Sequence, residues 1–417
     1  MAPCACFSWR LSPDSKRRPS TTIAPMQHRN PPLICLFHGL QMSLFPMAVL
    51  TIFWQRQVGM SMTQIMALQA GFGLAVALFE FPSGFLADRI GYRRTLIIAS
   101  VVTAAGWGLY VGADTFQRIA AAEALLGVGL SLVSGADSAL LYESLLDLGD
   151  ERTFARWSGR MVFWGQSAEG LAALSAGLLY AVSTRLPFQI EVGVWIINLG
   201  IAAALTEPKR TRPPMSHGLA QIRAMLRFVV SESPRLRRLV FAIVVFGLAS
   251  FIPVWMIQIY AVESGLPEPW LGPMWAVANF IVALSALLSH RLERLFGLPA
   301  ALGFCGLLIG IGYFGLASVH QVWGFVFYFF LTCARGLTSP MLQHEEHRAL
   351  TSSDRAGFLS LRSLLFRLSF LVLGPLVGWS VDRSGQRPAL LALGALLCLG
   401  IAGAVWSLGR KESERGT

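Results

Sequence analysis

Charge is what this chain has least of. Only 14% of its 417 residues are Asp, Glu, Lys or Arg, against 54% hydrophobic, whereas a water-soluble domain carries about a quarter charged residues. So apolar a chain has too little polar surface to stay dispersed in water, which excludes a soluble domain and implies a polytopic membrane protein. The cysteines Cys4, Cys6, Cys35, Cys305, Cys333 and Cys398 lack paired metal-ligand spacing beyond a lone Cys-x-Cys. Four of the six fall within or at the edges of apolar runs, so neither a metal site nor a disulfide framework is expected. No Gly-x-x-x-x-Gly-Lys-Ser/Thr loop cradles a phosphate, which argues against pumping driven by ATP. No nucleophile–base pair can be placed, so neither an enzyme nor a cofactor is expected. Residues 1–32 lack the apolar core of a signal peptide and, rich in Pro and Arg, read as a disordered basic tail. His344-Glu345-Glu346-His347 lacks the His-Glu-x-x-His spacing of zinc proteases and reads as a solvated loop.

Long apolar runs are what the chain does have. Windows of about 20 residues mark twelve candidate membrane helices, at 33–54, 63–87, 94–112, 116–141, 158–182, 187–206, 238–260, 268–289, 297–318, 320–340, 357–380 and 387–408. With an even number of spans both termini share a side. Of the 34 Lys and Arg, 26 fall on that side, 5 opposite (Arg56, Arg118, Arg185, Arg383 and Arg387) and 3 inside spans (Arg335, Arg362 and Arg367). The positive-inside rule then puts both termini in the cytoplasm, in the inner membrane of the cell. The formal charge of +11 is therefore topology, and no nucleic-acid partner is expected. The longest loop, 207–237, separates two six-helix halves, 33–206 and 238–408, with a short tail at 409–417. In that loop Leu219, Ile222, Leu226 and Val229 recur at helical spacing with Arg223 and Arg227 between them. This suits a helix lying in the inner interface, with a plain linker as the alternative.

Gly84-Phe85-Leu86-Ala87-Asp88-Arg89-Ile90-Gly91-Tyr92-Arg93-Arg94 joins spans two and three. So tight a turn forces the two helices to lie antiparallel. Gly84 lets a neighbouring backbone approach, and Gly91 permits the sharp reversal. Asp88 is placed to accept hydrogen bonds from a helix N-terminus or an arginine. Arg89, Arg93 and Arg94 hold the turn to the cytoplasmic side. A second segment, Gly378 to Arg387, aligns on Gly84 to Arg93 without gaps: Gly378, Asp382, Arg383, Gly385 and Arg387 coincide with Gly84, Asp88, Arg89, Gly91 and Arg93. This copy ends span eleven, on the opposite side of the membrane. A weaker echo after span eight, in the same sense as the first, holds Ser289, Glu293, Arg294 and Gly297. Three-span repeats, inverted within each half and parallel between halves, give this distribution and belong to secondary transporters.

On these residues the chain resembles the major facilitator superfamily over nearly its whole length. Gly84, Leu86, Ala87, Asp88, Arg89, Gly91 and Arg93 match the signature between that superfamily's second and third helices. Tyr92 stands where a basic residue is usual, with Arg94 one position later. Phe79 to Gly84, Ser134 to Leu145 and Asp354 to Leu361 also resemble a bacterial branch of drug and small-solute exporters, although span one has no carboxylate, unlike many proton-coupled drug exporters. The resemblance implies an all-α fold of two six-helix halves and alternating access for a small-molecule substrate. Proton-coupled export by a monomer in the lipid bilayer is the leading version. Uptake or siderophore-type efflux on the same scaffold is one alternative, and a non-transporting membrane sensor or assembly protein is another.

An ionisable group inside a span costs about 2.5–3.5 kcal/mol on insertion scales and marks function by default. Glu80, Gly84 and Asp88 share one face of span two, as a gate or as a static latch between halves. On span four, Glu123, Gly127, Leu130, Ser134, Asp137 and Ser138 follow at helical spacing. Glu123 is the first candidate for reversible protonation, because burial disfavours a charged carboxylate. Asp137 and Glu143 lie nearer the cytoplasmic end, with Arg156 or Arg160 as possible partners. Glu169, near the middle of span five, is the second coupling candidate. Arg335 in span ten and Arg367 in span eleven offer counter-charges, Arg367 on a face with Ser360, Ser363 and Gly374, while Arg362 is close enough to the surface to snorkel. An acid–arginine bridge between the halves is expected. His38 in span one is a hydrogen-bonded core residue or a proton relay. Gln41, Trp164, Gln166, Trp255, Gln258, Trp275 and Asn279 are candidates to line a cavity.

Overall fold

The computed structural model describes residues 29–208, 227, 233–349 and 355–413. Leu219, Ile222, Arg223, Leu226 and Val229 of the expected interfacial helix lie outside the described residues, as do Asp354, residues 1–28 of the basic tail and residues 414–417. Before residue 208 the helices are α1 (Asn30–Gln41), α2 (Leu50–Gln57), α3 (Met62–Ile90), α4 (Tyr92–Gly112), α5 (Phe116–Val133), α6 (Ala136–Asp147), α7 (Phe154–Val182) and α8 (Leu186–Ala204). After residue 233 they are α9 (Pro234–Phe251), α10 (Ile257–Glu263), α11 (Leu271–Phe296), α12 (Leu298–Ser318), α13 (Val326–Ala349), α14 (Arg355–Ser384) and α15 (Gln386–Ser413). No strand occurs among the described residues.

Among the described residues, ten stretches of helix are long and apolar enough to cross a membrane. Their outward faces expose Leu78, Leu287, Leu295 and Leu399, a pattern that suits lipid and would be costly in water. The two expected spans outside these ten are informative. Span five lies within α7, which runs for 29 residues but carries Arg156, Arg160, Gln166 and Glu169. Span one is interrupted.

The interruption runs from 42 to 49, between α1 and α2. Pro46 lacks an N–H and disfavours helical geometry at Phe45, so the backbone groups there need partners from elsewhere. Glu191 of α8 accepts the Phe45 N–H at 3.3 Å. Gln258 of α10 donates to the Met47 carbonyl at 2.8 Å and accepts the Thr51 N–H at 2.9 Å. Span four also breaks, at Gly135, whose φ of 84° starts α6 in a new direction. The single polar face expected from Glu123 to Ser138 is therefore two faces on two helices. Span seven breaks at Pro253, where a 3-10 turn over Ile252–Trp255 separates α9 from α10.

Helix turns follow the repeated motif. Gly91, Gly297 and Gly385 each hold a positive φ (105°, 74° and 85°) between consecutive long helices, a conformation that L side chains resist. Helices before residue 208 meet those after 233 chiefly in two pairs, α3 with α14 and α7 with α11. Small residues allow the approach: a Cβ at Gly177 would lie 2.6 Å from the Glu268 carbonyl, and one at Gly272 would strike the Ala173 carbonyl.

Candidate functional site

The two ends of the bundle differ. At the end holding the α14–α15 turn, the two sets of helices are tied together. Asp382, in the last turn of α14, accepts the Met62 and Thr63 N–H groups at 2.8 Å each and the Thr63 hydroxyl at 2.5 Å. It thereby caps the N-terminus of α3, where backbone donors lack helical partners and the dipole is positive. Arg56 pairs with Glu268 at 2.5 Å, and Trp54 stacks on Trp255 with centroids 6.0 Å apart. A Cβ at Gly378 would lie 2.6 Å from the Met62 carbonyl.

The α3–α4 turn stands at the other end and is arranged otherwise. The Glu207 carboxylate accepts the Tyr92 and Arg93 N–H groups, both at 2.8 Å, and Arg93 donates to the Ala203 carbonyl at 2.7 Å. Glu207, not Asp88, thus caps α4. Gly91 is required by its φ, and a Cβ there would also press on that carboxylate at 2.8 Å. Asp88 is half-buried on α3, while Arg89 and Arg94 are exposed. The close approach expected of Gly84 is not made in this conformation: a Cβ there would meet nothing within 4 Å, and Phe85 beside it is 63% exposed. The approach is made instead by its counterpart Gly378.

Between the ends lies a cavity of about 460 Å³, walled by α1 to α5, α8, α9 and α14 and including Gln69, Glu123, Trp195, Trp255 and Arg367. It adjoins a second, of about 420 Å³, along α9, α13 and α14, with Phe251, Ser363 and Phe366 common to both. Cavities of this size suit small organic ligands. Glu123 is buried in the wall and accepts hydrogen bonds from the Tyr110 hydroxyl and, at 3.3 Å, from Gln69. Tyr110 in turn stacks on Phe188, 5.1 Å between centroids. Arg367 donates to Ser363 Oγ and to the Gly73 carbonyl of α3, both at 3.3 Å; of the face expected on α14, Arg367 and Ser363 line the cavity and Gly374 does not.

Other candidates found partners that the sequence did not announce. His38 Nδ1 lies 3.2 Å from Asp137 Oδ2, so His38 is not solitary and Asp137 does not pair with Arg156 or Arg160. The Arg160 guanidinium sits over the Trp157 ring instead, 4.6 Å from its centroid. Glu169 accepts a long hydrogen bond from Gln166, 3.5 Å, and the Arg335 charge acts on it from across the space between α7 and α13. Glu80 acts likewise on Arg367. An acid–arginine bridge between helices before 208 and after 233 is made by Arg56 and Glu268 at the tied end, whereas Glu169 and Arg335, like Glu80 and Arg367, stand beyond ion-pair distance. Of the cavity candidates, Gln41 and Trp255 line the wall; Trp164 is 56% exposed, and Gln258 belongs to the tied end.

Two regions correct the sequence reading outright. His344 to His347 is not a loop: α13 continues to Ala349. Its acids form an ion-pair lattice, with Glu345 on Arg235 (2.8 Å) and Arg348 (2.9 Å) and the buried Glu346 on Arg362 (2.8 Å). Arg362 therefore does not snorkel. Glu293, His344 and Glu345 could bring three ligand atoms within 4.8 Å of one another, but the arginines already on Glu345 suit a lattice better than a metal. The second region is Glu191. It is fully buried, holds the broken backbone of span one, and was passed over although it falls inside the expected span 187–206. The rule that marked Glu123 marks it equally.

The comparisons with known proteins agree with this architecture. Residues 33–356 match the model of the Major Facilitator Superfamily. Uncharacterized MFS-type transporters of Burkholderia pseudomallei (strain 1106a) and Burkholderia mallei (strain SAVP1) are each 25% identical over 371 residues, 86% of both chains. Among solved structures, the nucleoside transporter NupG superposes with a TM-score of 0.73 at 12% identity, covering 92% of this chain and 99% of that one. A mutant of the peptide transporter POT gives 0.71 at 14% identity, over 91% and 93%. A bacterial homolog of the human lysosomal transporter Spinster, inward-facing and unoccupied, gives 0.65 at 15% identity, over 93% and 95%. The chain is a transporter rather than an enzyme and belongs to the Major Facilitator Superfamily.

Proposed function

We propose that the protein is a secondary active transporter that crosses the membrane twelve times, in two six-helix halves, and carries a small organic compound by alternating access. The observation that carries this reading is a central cavity walled by helices from both halves and tied shut at the end where Asp382 caps α3 and Arg56 pairs with Glu268. With both termini cytoplasmic, the tied end faces outward and the conformation is open to the cytoplasm. The motif's two copies supply the gates. Asp382 caps α3 at the outer end; by the inverted repeat, Asp88 caps the N-terminus of α14 when the inner end closes and the outer end opens. Each conformation then costs one cap and gains the other, so neither is strongly favoured.

Export is the direction that the resemblance implies, and Glu123 supports coupling it to protons. Its carboxyl is buried in the cavity wall with two neutral hydrogen-bond partners, a setting that favours proton uptake when the cavity is closed and release when it is hydrated. The test is proton flux in sealed proteoliposomes carrying a pH-sensitive dye, screened against organic anions, cations and neutral compounds. A compound that dissipates an imposed pH gradient through the wild type but not through Glu123→Gln supports coupling at Glu123. Transport that proceeds with normal coupling in Glu123→Gln removes that assignment.

A further inference from the structure

The adjoining cavities hold three arginines, and only one is neutralised. Arg362 is paired with Glu346 at 2.8 Å. Arg367, in the wall of the deeper cavity, donates to two neutral oxygens, Ser363 Oγ and the Gly73 carbonyl, at 3.3 Å each. No carboxylate among the described residues comes within 4 Å of it; Glu80 acts on it from farther off. Arg335 lines the neighbouring cavity, and the acid acting on it, Glu169, likewise stands beyond 4 Å. The acid in the deeper wall, Glu123, is occupied by Tyr110 and Gln69. The rest of that wall is largely apolar, with Phe72, Trp107, Trp195, Trp255 and Phe370 among the groups around the space.

A guanidinium kept without a carboxylate in apolar surroundings is costly unless something else completes it. Its planar fork matches a carboxylate, sulfonate or phosphate through two parallel hydrogen bonds. The aromatic faces around it offer area for a flat apolar body. We infer that the substrate is an amphipathic organic anion, whose acidic group docks on Arg367 and whose aromatic or apolar body lies against the Trp107 and Trp255 side of the cavity. Arg335, in the adjoining cavity that shares Ser363 with the first, draws the anion toward that site. An organic cation meets two unneutralised arginines and is disfavoured. This deepens the transport reading and rests on it for the word substrate, though not for the binding site.

The experiment compares three probes of one shape and different charge: 2-naphthoate, 2-naphthamide and 2-naphthylmethylammonium. Equilibrium dialysis against the full chain in nanodiscs, with empty nanodiscs as reference, measures binding; proteoliposomes measure uptake. Naphthoate is expected to bind about ten-fold or more tightly than the other two, the range of a hydrogen-bonded charge. Arg367→Gln should bring naphthoate down to the affinity of the amide while leaving the amide unchanged, which also reports that the cavity survives. Arg367→Lys, which keeps the charge without the fork, should fall between. Equal affinities, preference for the ammonium, or no naphthoate binding overturns the inference, as does an unchanged preference in Arg367→Gln. Naphthoate bound but not moved faster than leak leaves the anion site standing and removes the transport reading. Uptake of the amide or the ammonium in preference to naphthoate does the reverse.

Discussion

The α3–α4 and α14–α15 turns are built from one motif and are in opposite states. At the second, Asp382 reaches across to α3 and Gly378 lies against the Met62 backbone. At the first, Glu207, just after α8, caps α4, and Gly84 faces open space. The same motif glycine is thus seated against a remote helix at one end and open at the other. A static latch would seat both. The difference separates two jobs within the motif: at the second turn Gly378 and Asp382 make the contact with α3, whereas the turn glycine, Gly91 or Gly385, serves the local reversal at either end.

Breaking the engaged copy should have the largest effect. In Gly378→Leu the new side chain meets backbone that cannot yield, and overpacking of this kind costs about 1–3 kcal/mol even where side chains can adjust. Turnover in proteoliposomes should fall to background, and a single cysteine placed in the cavity should label from the outer side with a membrane-impermeant reagent. Asp88→Asn comes next. It should abolish turnover in a protein that is folded and inserted, and its cavity cysteine should label from the cytoplasmic side alone; full transport in this variant removes the gating role of the first copy. Asp382→Asn keeps the shape but loses the charge on the α3 dipole, about 1–2 kcal/mol. Labelling from the outer side should rise about ten-fold for a loss of 1.4 kcal/mol, and a variant that labels like wild type breaks the comparison.

The sequence displayed the positions of the helices far better than their interiors. Apolar windows found the region of every long helix because bilayer thickness fixes span length. They passed over the breaks at 42–49 and at Gly135, because an apolar run reads the same whether or not it is helical throughout. The groups that make those breaks tolerable, Glu191 and Gln258, belong to helices remote in sequence. The motif copy at Asp382 was legible for the opposite reason: gapless spacing is a local property. His344 to His347 misled because its ion pairs run to Arg235, Glu293 and Arg362 on three other helices. Without them four polar residues in a row look like a loop. Glu123 and Arg367 stood out as costly residues inside spans, but their neutral partners, Tyr110, Gln69 and the Gly73 carbonyl, could not be assigned before the helices were placed.

Gly84→Ala makes the smallest change and bears most directly on the comparison. In the present conformation the added methyl enters open space, and alanine within a helix is favoured over glycine by about 0.5–1 kcal/mol. The variant should therefore unfold no more easily than the wild type. In the opposite conformation Gly84 takes the place that Gly378 holds now, where a Cβ falls 2.6 Å from a backbone carbonyl. The methyl should then penalise closure of the inner end, and turnover should drop about five-fold for a penalty of about 1 kcal/mol. Labelling of a cavity cysteine should rise from the cytoplasmic side as it falls from the other. An Ala variant with wild-type turnover and wild-type labelling would mean that α3 never approaches its partner at residue 84. The two copies would then differ in role and not merely in state.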